Sequence, residues 1–226
     1  MSDLRPVVEA IATGDPGRTR TAFAGLAGVL RAVYDQGEHA WSAGAPADFL
    51  AASLYVSDRY HLRLHAHAVG ATDSDLHTHK GAVYSTVLSG ALANTAAVPT
   101  IGDGGRGLDV WQCGCRADGT PVQARTGLHA VIDPDTITTT RLAAGDMFTV
   151  APGDYHRLAV SSDPGEATVT LCLFERLDLH TPDAYVLTNR PSPVLADRDM
   201  TVTAARAALR RVLDMAATPG LSSTAL

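Results

Sequence analysis

The sequence predicts a mainly β fold, an antiparallel sandwich or barrel with helices at both ends of the chain. The central part consists of short extended runs separated by clusters of glycine, aspartate and proline. Such spacing is typical of β-sandwiches and barrels. Near both termini, apolar residues instead recur every three or four positions, as on one face of an α-helix. We therefore expect an N-terminal helical extension (1–48), a barrel (49–190) and a C-terminal helix with a tail (191–226), forming one structural domain overall.

Residues 1–44 are predicted to be mostly helical. The segment from 14 to 17, Gly-Asp-Pro-Gly, separates two helices, and Asp15 with Pro16 is well suited to begin the second one. The apolar residues that define the two helical faces are Val7, Val8 and Ile11 in the first helix, and Phe23, Leu26, Leu30 and Val33 in the second.

Nine runs between residues 54 and 175 are predicted to be strands, because β-branched and aromatic residues are bounded there by turn residues. The last regular segment, Thr203 to Ala216, has the periodicity of an amphipathic helix and precedes a frayed tail at 218–226. The predicted strands are Leu54–Val56, Tyr60–Val69, Val83–Ala93, Leu108–Arg116, Val122–Ile132, Thr136–Leu142, Met147–Val150, Arg157–Val160 and Thr168–Glu175.

Composition excludes several classes of partner. The formal net charge of −6 and the pI near 5.8 provide no basic field for nucleic acid or for an anionic membrane surface. The three cysteines are too few, and odd in number, for a disulfide framework. No apolar run is long enough to span a membrane, and the N-terminus lacks the pattern of a secretory signal, so we expect a cytoplasmic protein.

Two histidine runs carry most of the chemistry in the sequence. The first contains His77-Thr78-His79, and the second begins at Gly145 and ends at His156. In an extended strand, side chains two residues apart point to the same side, so His77 and His79 can share one face. A second strand that adds His156 to that face would give a metal three nitrogen ligands and leave its other side open to substrate and oxygen.

The two runs resemble the paired motifs of the cupin superfamily. The first motif is HxH, three or four residues, an acidic residue, six residues and a glycine. His77, His79 and Gly90 fit the variant with three residues before the acidic position. The second motif fits with its proline one place late, at Gly145, Pro152, Gly153 and His156. The resemblance covers roughly residues 77–90 and 145–156, and it implies a double-stranded β-helix barrel.

The sequence departs from the family pattern at one metal ligand. The acidic ligand of the family would fall at Val83, or at Tyr84 in the longer variant, but no aspartate or glutamate occurs between Lys80 and Gly90. The resemblance therefore implies a site with three histidines, His77, His79 and His156, and no carboxylate.

This pattern is similar to the three-histidine branch of cupin oxygenases, which includes cysteine dioxygenase, related thiol dioxygenases and some dioxygenases of diketones and aromatic acids. The resemblance implies Fe(II) as the cofactor, a small anionic substrate and dioxygen as partners, and a homodimer, as in many cupins. Imidazole ligands also suit Ni, Cu or Zn, so these metals remain alternatives, with Mn as a further one. Two other functions stay open: a non-oxidative metal-dependent cupin (isomerase, lyase or hydrolase), and a ligand-binding cupin without catalysis.

The predicted strand from Tyr60 to Val69 has one apolar and one basic face. Arg59, His61, Arg63, His65 and His67 share the basic face. If this face lines the barrel, Arg59, Arg63 and His65 would bind an anionic substrate, since a guanidinium binds carboxylates by a fork of two hydrogen bonds. The alternation itself slightly favours exposure to solvent or to a subunit interface. A rival metal site at His65 and His67 ranks lower, because it has no partner in a second motif.

Three further residues are candidates for the site. Tyr84, beside the missing ligand position, and Tyr155, before His156, are candidate catalytic proton donors, although aromatic residues in barrels are more often packing. His129 is a candidate for substrate binding, with the barrel interior and the surface equally favoured for it. Cys113 and Cys115 share a strand face with Trp111, and we expect a buried strand there rather than chemistry.

Overall fold

A computed structural model describes residues 4–13, 26–43, 49–70, 75–115, 121–160, 167–175, 184–191 and 201–217. Within these residues the chain forms the helices α1 (Arg5–Ala12), α2 (Leu26–Gln36) and α3 (Val202–Ala217), and short 3-10 helices at Gly37–Ala40 and Pro134–Thr136. The strands are β1 (Ser42–Ala43), β2 (Phe49–Val56), β3 (Tyr60–His67), β4 (Leu76–His77), β5 (Val83–Ser89), β6 (Ala91–Ala97), β7 (Pro99–Gly102), β8 (Leu108–Cys115), β9 (Pro121–Ile132), β10 (Thr138–Ala143), β11 (Met147–Val150), β12 (Tyr155–Val160), β13 (Thr168–Glu175) and β14 (Ala184–Thr188).

The described strands form two antiparallel sheets. The first, sheet A, has the order β1-β2-β3-β13-β5-β11, and the second, sheet B, has the order β10-β6-β12-β4-β14-β8-β9-β7. Strands that are distant in sequence are thus neighbours, as β3 and β13 are in sheet A. In sheet B the same topology pairs β4 with β12 and sets His77 directly opposite His156. The mainly β architecture predicted from the sequence is confirmed.

The outer face of sheet A packs against all three helices. Leu62 and Leu64 on β3 and Leu171 on β13 are fully buried in one apolar cluster with Ile11 of α1 and Leu209 of α3. Burying each of these large side chains contributes about 1.5–3 kcal/mol. The helices therefore cover the apolar outer face of sheet A, as a second sheet does in a β-sandwich. The other face of sheet A lines the barrel interior.

The inner faces of the two sheets meet at the bottom of the barrel. Val87 and Phe148 from sheet A pack there with Leu92, Leu142 and Leu158 from sheet B. This apolar plug closes the interior at one end, while the loop that precedes β12 is exposed at the other end. The polar residues between these two levels form the candidate site.

The predicted strand at 83–93 is wrong in one respect, because the chain turns in its middle. Gly90 has a φ of +79°, and a Cβ at this position would collide with Oγ1 of Thr168. Only glycine adopts this conformation readily. The turn separates β5 from β6 and sends them to different sheets. Four short strands, β1, β4, β7 and β14, were not predicted either, because a strand of two to five residues shows too little alternation of polar and apolar side chains.

The helical predictions are confirmed where the structure describes them, in α1, α2 and α3. The predicted helix start at Asp15 and Pro16, Phe23, Arg116 and the tail at 218–226 lie outside the described residues. Among the described helices, none is long and apolar enough to cross a membrane. The homodimer and the division of the chain at 48 and 190 stay predictions.

Candidate metal centre

Three histidines from two strands and one loop converge on a single point. His77 ends β4, His79 follows it in the loop, and His156 lies on β12. One ring nitrogen of each lies within 4.8 Å of the corresponding nitrogen of the other two. In the parts of the chain that the structure describes, this is the one group of three or more histidine, cysteine or acidic side chains with such spacing.

The backbone around the three histidines fixes their positions. Thr78, which points to the opposite face, exchanges hydrogen bonds with Tyr185 through its own amide and hydroxyl groups. The carbonyl of His79 accepts a hydrogen bond from the amide of Gly153 at 3.3 Å, in the turn just before β12. The loop that carries His79 is thereby tied to the strand that carries His156.

Asn94 orients one of the three imidazoles. Its Oδ1 lies 2.9 Å from Nδ1 of His156, on the side of the ring away from the other two histidines. An amide oxygen only accepts, so Nδ1 carries the proton and Nε2 presents a lone pair. That Nε2 lies 2.9 Å from Nε2 of His79. Orientation of a ligating histidine by its second nitrogen is a general feature of metal sites.

Burial keeps two of the three histidines, His79 and His156, neutral. Burial, together with the charge of neighbouring His77, lowers the pKa of His79 to about 3. Burial, followed by the effects of His77 and His79, lowers the pKa of His156 to about 2. Neutral imidazoles are the form that binds a metal. Three converging ring nitrogens, one of them in an imidazole fixed in the correct tautomer, fit a divalent transition metal.

The position at which the cupin motif has an acidic ligand faces the same interior, but here it offers no ligand atom. Val83 is buried and lies opposite Phe174 in the pairing of β5 with β13, and cross-strand partners share a face. The Phe174 ring lies 5.9 Å from that of His79. The three-histidine set expected from the sequence therefore has no carboxylate among the described residues.

The basic face of β3 lines the barrel interior. His65 and His67 are 5% and 6% exposed, and His65 packs between Phe49 and Phe174 with ring centroids 4.2 and 5.7 Å away. The slight preference for a solvent-facing strand was wrong, because α1, α2 and α3 cover the apolar face and both faces are buried. Alternation of polar and apolar residues could not reveal these helices.

Arg63 lies on this interior wall beside the histidines. Its guanidinium carbon is 5.7 Å from the centre of the Phe174 ring, and burial lowers the pKa of the group without removing its charge at neutral pH. Its cross-strand neighbours, Ser53 and Cys172, are uncharged. No carboxylate among the described residues pairs with it.

The remaining residues of the basic strand contribute less. Arg59 has a side chain that is 71% exposed, and it pairs with Glu175 at 3.4 Å. His61 is partly buried and shares a hydrogen bond with Ser53. His67 shares one with Thr170 at 3.2 Å. The structure thus brings Arg63 and His65 to the site and leaves Arg59 at the surface.

Neither predicted catalytic tyrosine reaches the metal centre. Tyr155 belongs to an apolar cluster on the outer face of sheet B, opposite to the face of His156, and burial raises its pKa to about 12. Tyr84 packs against the outer cluster of sheet A, and burial raises its pKa as well. Both residues alternate with inward-facing neighbours, so strand geometry turns them away.

His129 lies on β9, paired with Asp109 on β8. Its Nε2 is 3.3 Å from one carboxylate oxygen of Asp109, and Arg125 binds the other oxygen. Asp109 is paired with Thr188 on β14, and Thr188 is two residues from Val186, which is paired with His77. Asp109 therefore lies on the same face of sheet B as His77. His129 thus lies on the inner face but three strands away from β4, and its predicted role in substrate binding stays a prediction.

Two residues of the site were missed by reasoning from the sequence. Asn94 carries no motif, and only the pairing of β6 with β12 brings it to His156. Val186 on β14 is paired with His77 on one side and with Trp111 on the other, so Trp111 lies on the same face of sheet B as His77. The buried indole Nε1 of Trp111 has no hydrogen-bond partner within the described residues. The neighbouring Cys113 lies two residues further along β8, on the same face as Trp111. The side chain of Cys115 lies outside the described residues.

No protein-family model and no curated protein sequence matches this chain. Solved structures with a similar fold include an RmlC-like cupin from Shewanella frigidimarina, at 16% identity over 64% of this chain and 88% of that chain, with a TM-score of 0.38. The polyketide cyclase RemF from Streptomyces resistomycificus is similar at 14% identity over 60% and 70% of the two chains, with a TM-score of 0.37. KdgF from Halomonas sp. is similar at 15% identity over 62% and 90%, also with a TM-score of 0.37.

These matches include cupin-superfamily structures, as the histidine motifs led us to expect. Their identities and TM-scores are low, and they carry no argument about activity or substrate.

Proposed function

We propose that this protein is a metal-dependent cupin enzyme that catalyses Fe(II)-dependent oxygenation of a small anionic substrate. The observation that carries the proposal is the convergence of His77, His79 and His156, with ring nitrogens within 4.8 Å of one another. The charged Arg63 on the facing wall supports the anionic character of the substrate.

His77, His79 and His156 would hold the ion through neutral nitrogens. Fe(II) bound there would supply a redox-active centre to which a substrate and dioxygen can both have access. Because the ligands carry no charge, the full double charge of the ion remains to attract an anion. Zinc, nickel or manganese on the same ligands would provide Lewis-acid chemistry instead.

The surrounding residues bind and orient the substrate. Arg63 binds its anionic group, and a guanidinium can do so with two parallel hydrogen bonds. Phe174 lies between Arg63 and His79 and provides an apolar surface for the body of the molecule. The apolar plug at the bottom of the barrel excludes water from below. Holding the reactants in contact is itself a large part of catalysis.

Metal analysis is the first test. We expect about one equivalent of iron after anaerobic loading with Fe(II). The variant His79→Gln should lose it, whereas His67→Gln, a matched change of a buried histidine on the opposite wall, should retain it. Loss of iron in His67→Gln alone would favour the rival site at His65 and His67. No metal bound by the wild-type protein would overturn the proposal.

Oxygen consumption is the second test. The iron-loaded protein is presented with a panel of small carboxylic acids and thiols in an oxygen electrode. We expect substrate-dependent uptake that is lost in His79→Gln. Turnover of a substrate with zinc, nickel or manganese and without uptake of oxygen would identify the non-oxidative alternative.

A further inference from the structure

The barrel interior carries positive charge that the described residues do not balance. The three candidate ligands, His77, His79 and His156, are imidazoles and provide no negative charge. Arg63 is half-buried and pairs with no described carboxylate. A divalent ion on the histidines would add two further positive charges next to it.

Few acidic side chains face this interior within the described residues. Asp109 is already matched by Arg125 and His129. Asp154 is exposed to solvent, which screens its charge. Asp75 lies two residues before His77, and Oδ2 of its carboxyl group is buried without a partner within the described residues. A divalent ion and Arg63 together would contribute three positive charges, and a single carboxylate would leave about two of them unbalanced.

We propose that the substrate is a dianion whose two anionic groups bind at separate points, one at the metal and one at Arg63. The inference rests on the proposed function, because the metal supplies part of the charge. Burying a cation without a counter-charge costs free energy, and a second anionic group on the ligand removes that cost at Arg63.

Phe174 sets the separation of the two points. Its ring centre lies 5.9 Å from the ring centre of His79 and 5.7 Å from the guanidinium carbon of Arg63. The ligand therefore needs only a short chain to cross the face or edge of one aromatic ring. Short dicarboxylates have this form, with the two charged groups at opposite ends.

His65 adds a neutral hydrogen-bonding atom beside Arg63. Its Nε2 is fully buried and has no partner within the described residues, and the ring lies 5.7 Å from that of Phe174. A buried polar atom of this kind costs free energy unless it is satisfied. The second anionic group of the ligand, next to Arg63, is well placed to accept a hydrogen bond from it.

Calorimetric titration of the zinc-loaded protein with succinate and with monomethyl succinate tests the proposal. The two probes have the same chain, and zinc prevents oxidative turnover. We expect succinate to bind about tenfold more tightly or better, as for a buried charge pair. In Arg63→Gln this preference should fall to about threefold or less, whereas Arg59→Gln, a matched change at the surface, should keep it. Malonate and glutarate then give the preferred length.

Equal binding of the two probes to the wild-type protein would overturn the proposal, and so would an Arg63→Gln variant that behaves like Arg59→Gln. The metal content of every sample is measured after titration. A protein that binds no zinc or iron refutes the proposed function, whereas a loaded protein without preference refutes the dianion alone. If Arg63→Gln fails to fold, Arg63→Lys, which keeps the charge, is compared with Arg63→Met, and only the lysine variant should retain the preference.

Discussion

Asn94 Oδ1 lies 2.9 Å from Nδ1 of His156, so an amide on one strand sets the tautomer of a candidate metal ligand on the next. The bond leaves Nε2 of His156 free to face His77 and His79. Neither residue type nor spacing in the sequence connects position 94 with position 156. The pairing of β6 with β12 makes the connection.

Removing this amide should weaken metal binding without removing a ligand. We expect Asn94→Ala to lower the affinity for Fe(II) or Zn(II) by about 10- to 100-fold, as is usual for such supporting groups. Asn94→Asp retains an acceptor and should retain binding. The control is Thr95→Ala, on the same strand but with its hydroxyl bonded to Thr139. Competition with a chelator measures the affinities, and equal values for Asn94→Ala and Thr95→Ala would refute the role of Asn94.

Val83 offers a way to convert the three-histidine site into a four-ligand site. The variant Val83→Glu places a carboxylate where the cupin pattern has one, on the interior face next to Phe174. Without metal, the buried charge should lower the melting temperature, since an unpaired carboxylate is costly to bury. Metal should then raise the melting temperature by more than in the wild-type protein. Val83→Gln introduces a side chain with the shape of glutamate but without its charge. It should lower the melting temperature only slightly, and metal should raise its melting temperature no more than that of the wild-type protein.

The three histidines could be predicted from the sequence because the evidence for them is local. His77 and His79 are two residues apart, and the turn before His156 is marked by Pro152 and Gly153. The structure brings the three together as expected.

The basic face of β3 could not be placed from the sequence. A strand with one apolar face usually turns that face toward the core and the other toward solvent. Here the apolar face of Leu62 and Leu64 meets the helices, and the basic face of Arg63 and His65 meets the barrel interior. The contact between terminal helices and a central strand is a long-range property, which periodicity within β3 does not contain.

The two tyrosines proposed as proton donors provide a test of strand geometry. Because Tyr84 and Tyr155 lie on outer faces, we expect Tyr84→Phe and Tyr155→Phe to change metal affinity and succinate binding by no more than about twofold. His65→Phe, on the inner wall, should weaken succinate binding by more than either. Calorimetry on the zinc-loaded variants makes the comparison. A large loss of succinate or metal binding in Tyr155→Phe, with an unchanged melting temperature, would show that Tyr155 acts at the site.

Acid should destabilise the metal-free protein through His67. Burial lowers the pKa of this group to about 4, whereas a histidine in an unfolded chain titrates near pH 6.5. Between these values the unfolded chain binds a proton that the folded chain does not, so the free energy of unfolding decreases as the pH falls. The contribution is complete above about pH 6.5 and is lost progressively toward about pH 4.

Urea unfolding of the metal-free protein at pH 7 and pH 5 measures this effect. In His67→Gln, which can still bond with Thr170, the loss of stability between the two pH values should be smaller by about 2 kcal/mol. His39→Gln, at an exposed position, serves as the control and should show the wild-type loss. Equal losses in wild type and His67→Gln would show that His67 is not held neutral by burial.

Two glycines should respond in opposite directions to replacement by alanine. Gly90 has a φ of +79° at the turn between β5 and β6, where a Cβ would collide with Oγ1 of Thr168, so Gly90→Ala should cost about 1–3 kcal/mol. Gly28 lies on the exposed side of α2, and no atom lies within 4 Å of the position that a Cβ would occupy, so Gly28→Ala should add about 0.5–1 kcal/mol. Denaturant unfolding of both variants gives the two differences. A neutral Gly90→Ala would mean that the chain does not need this turn to send β5 and β6 to separate sheets.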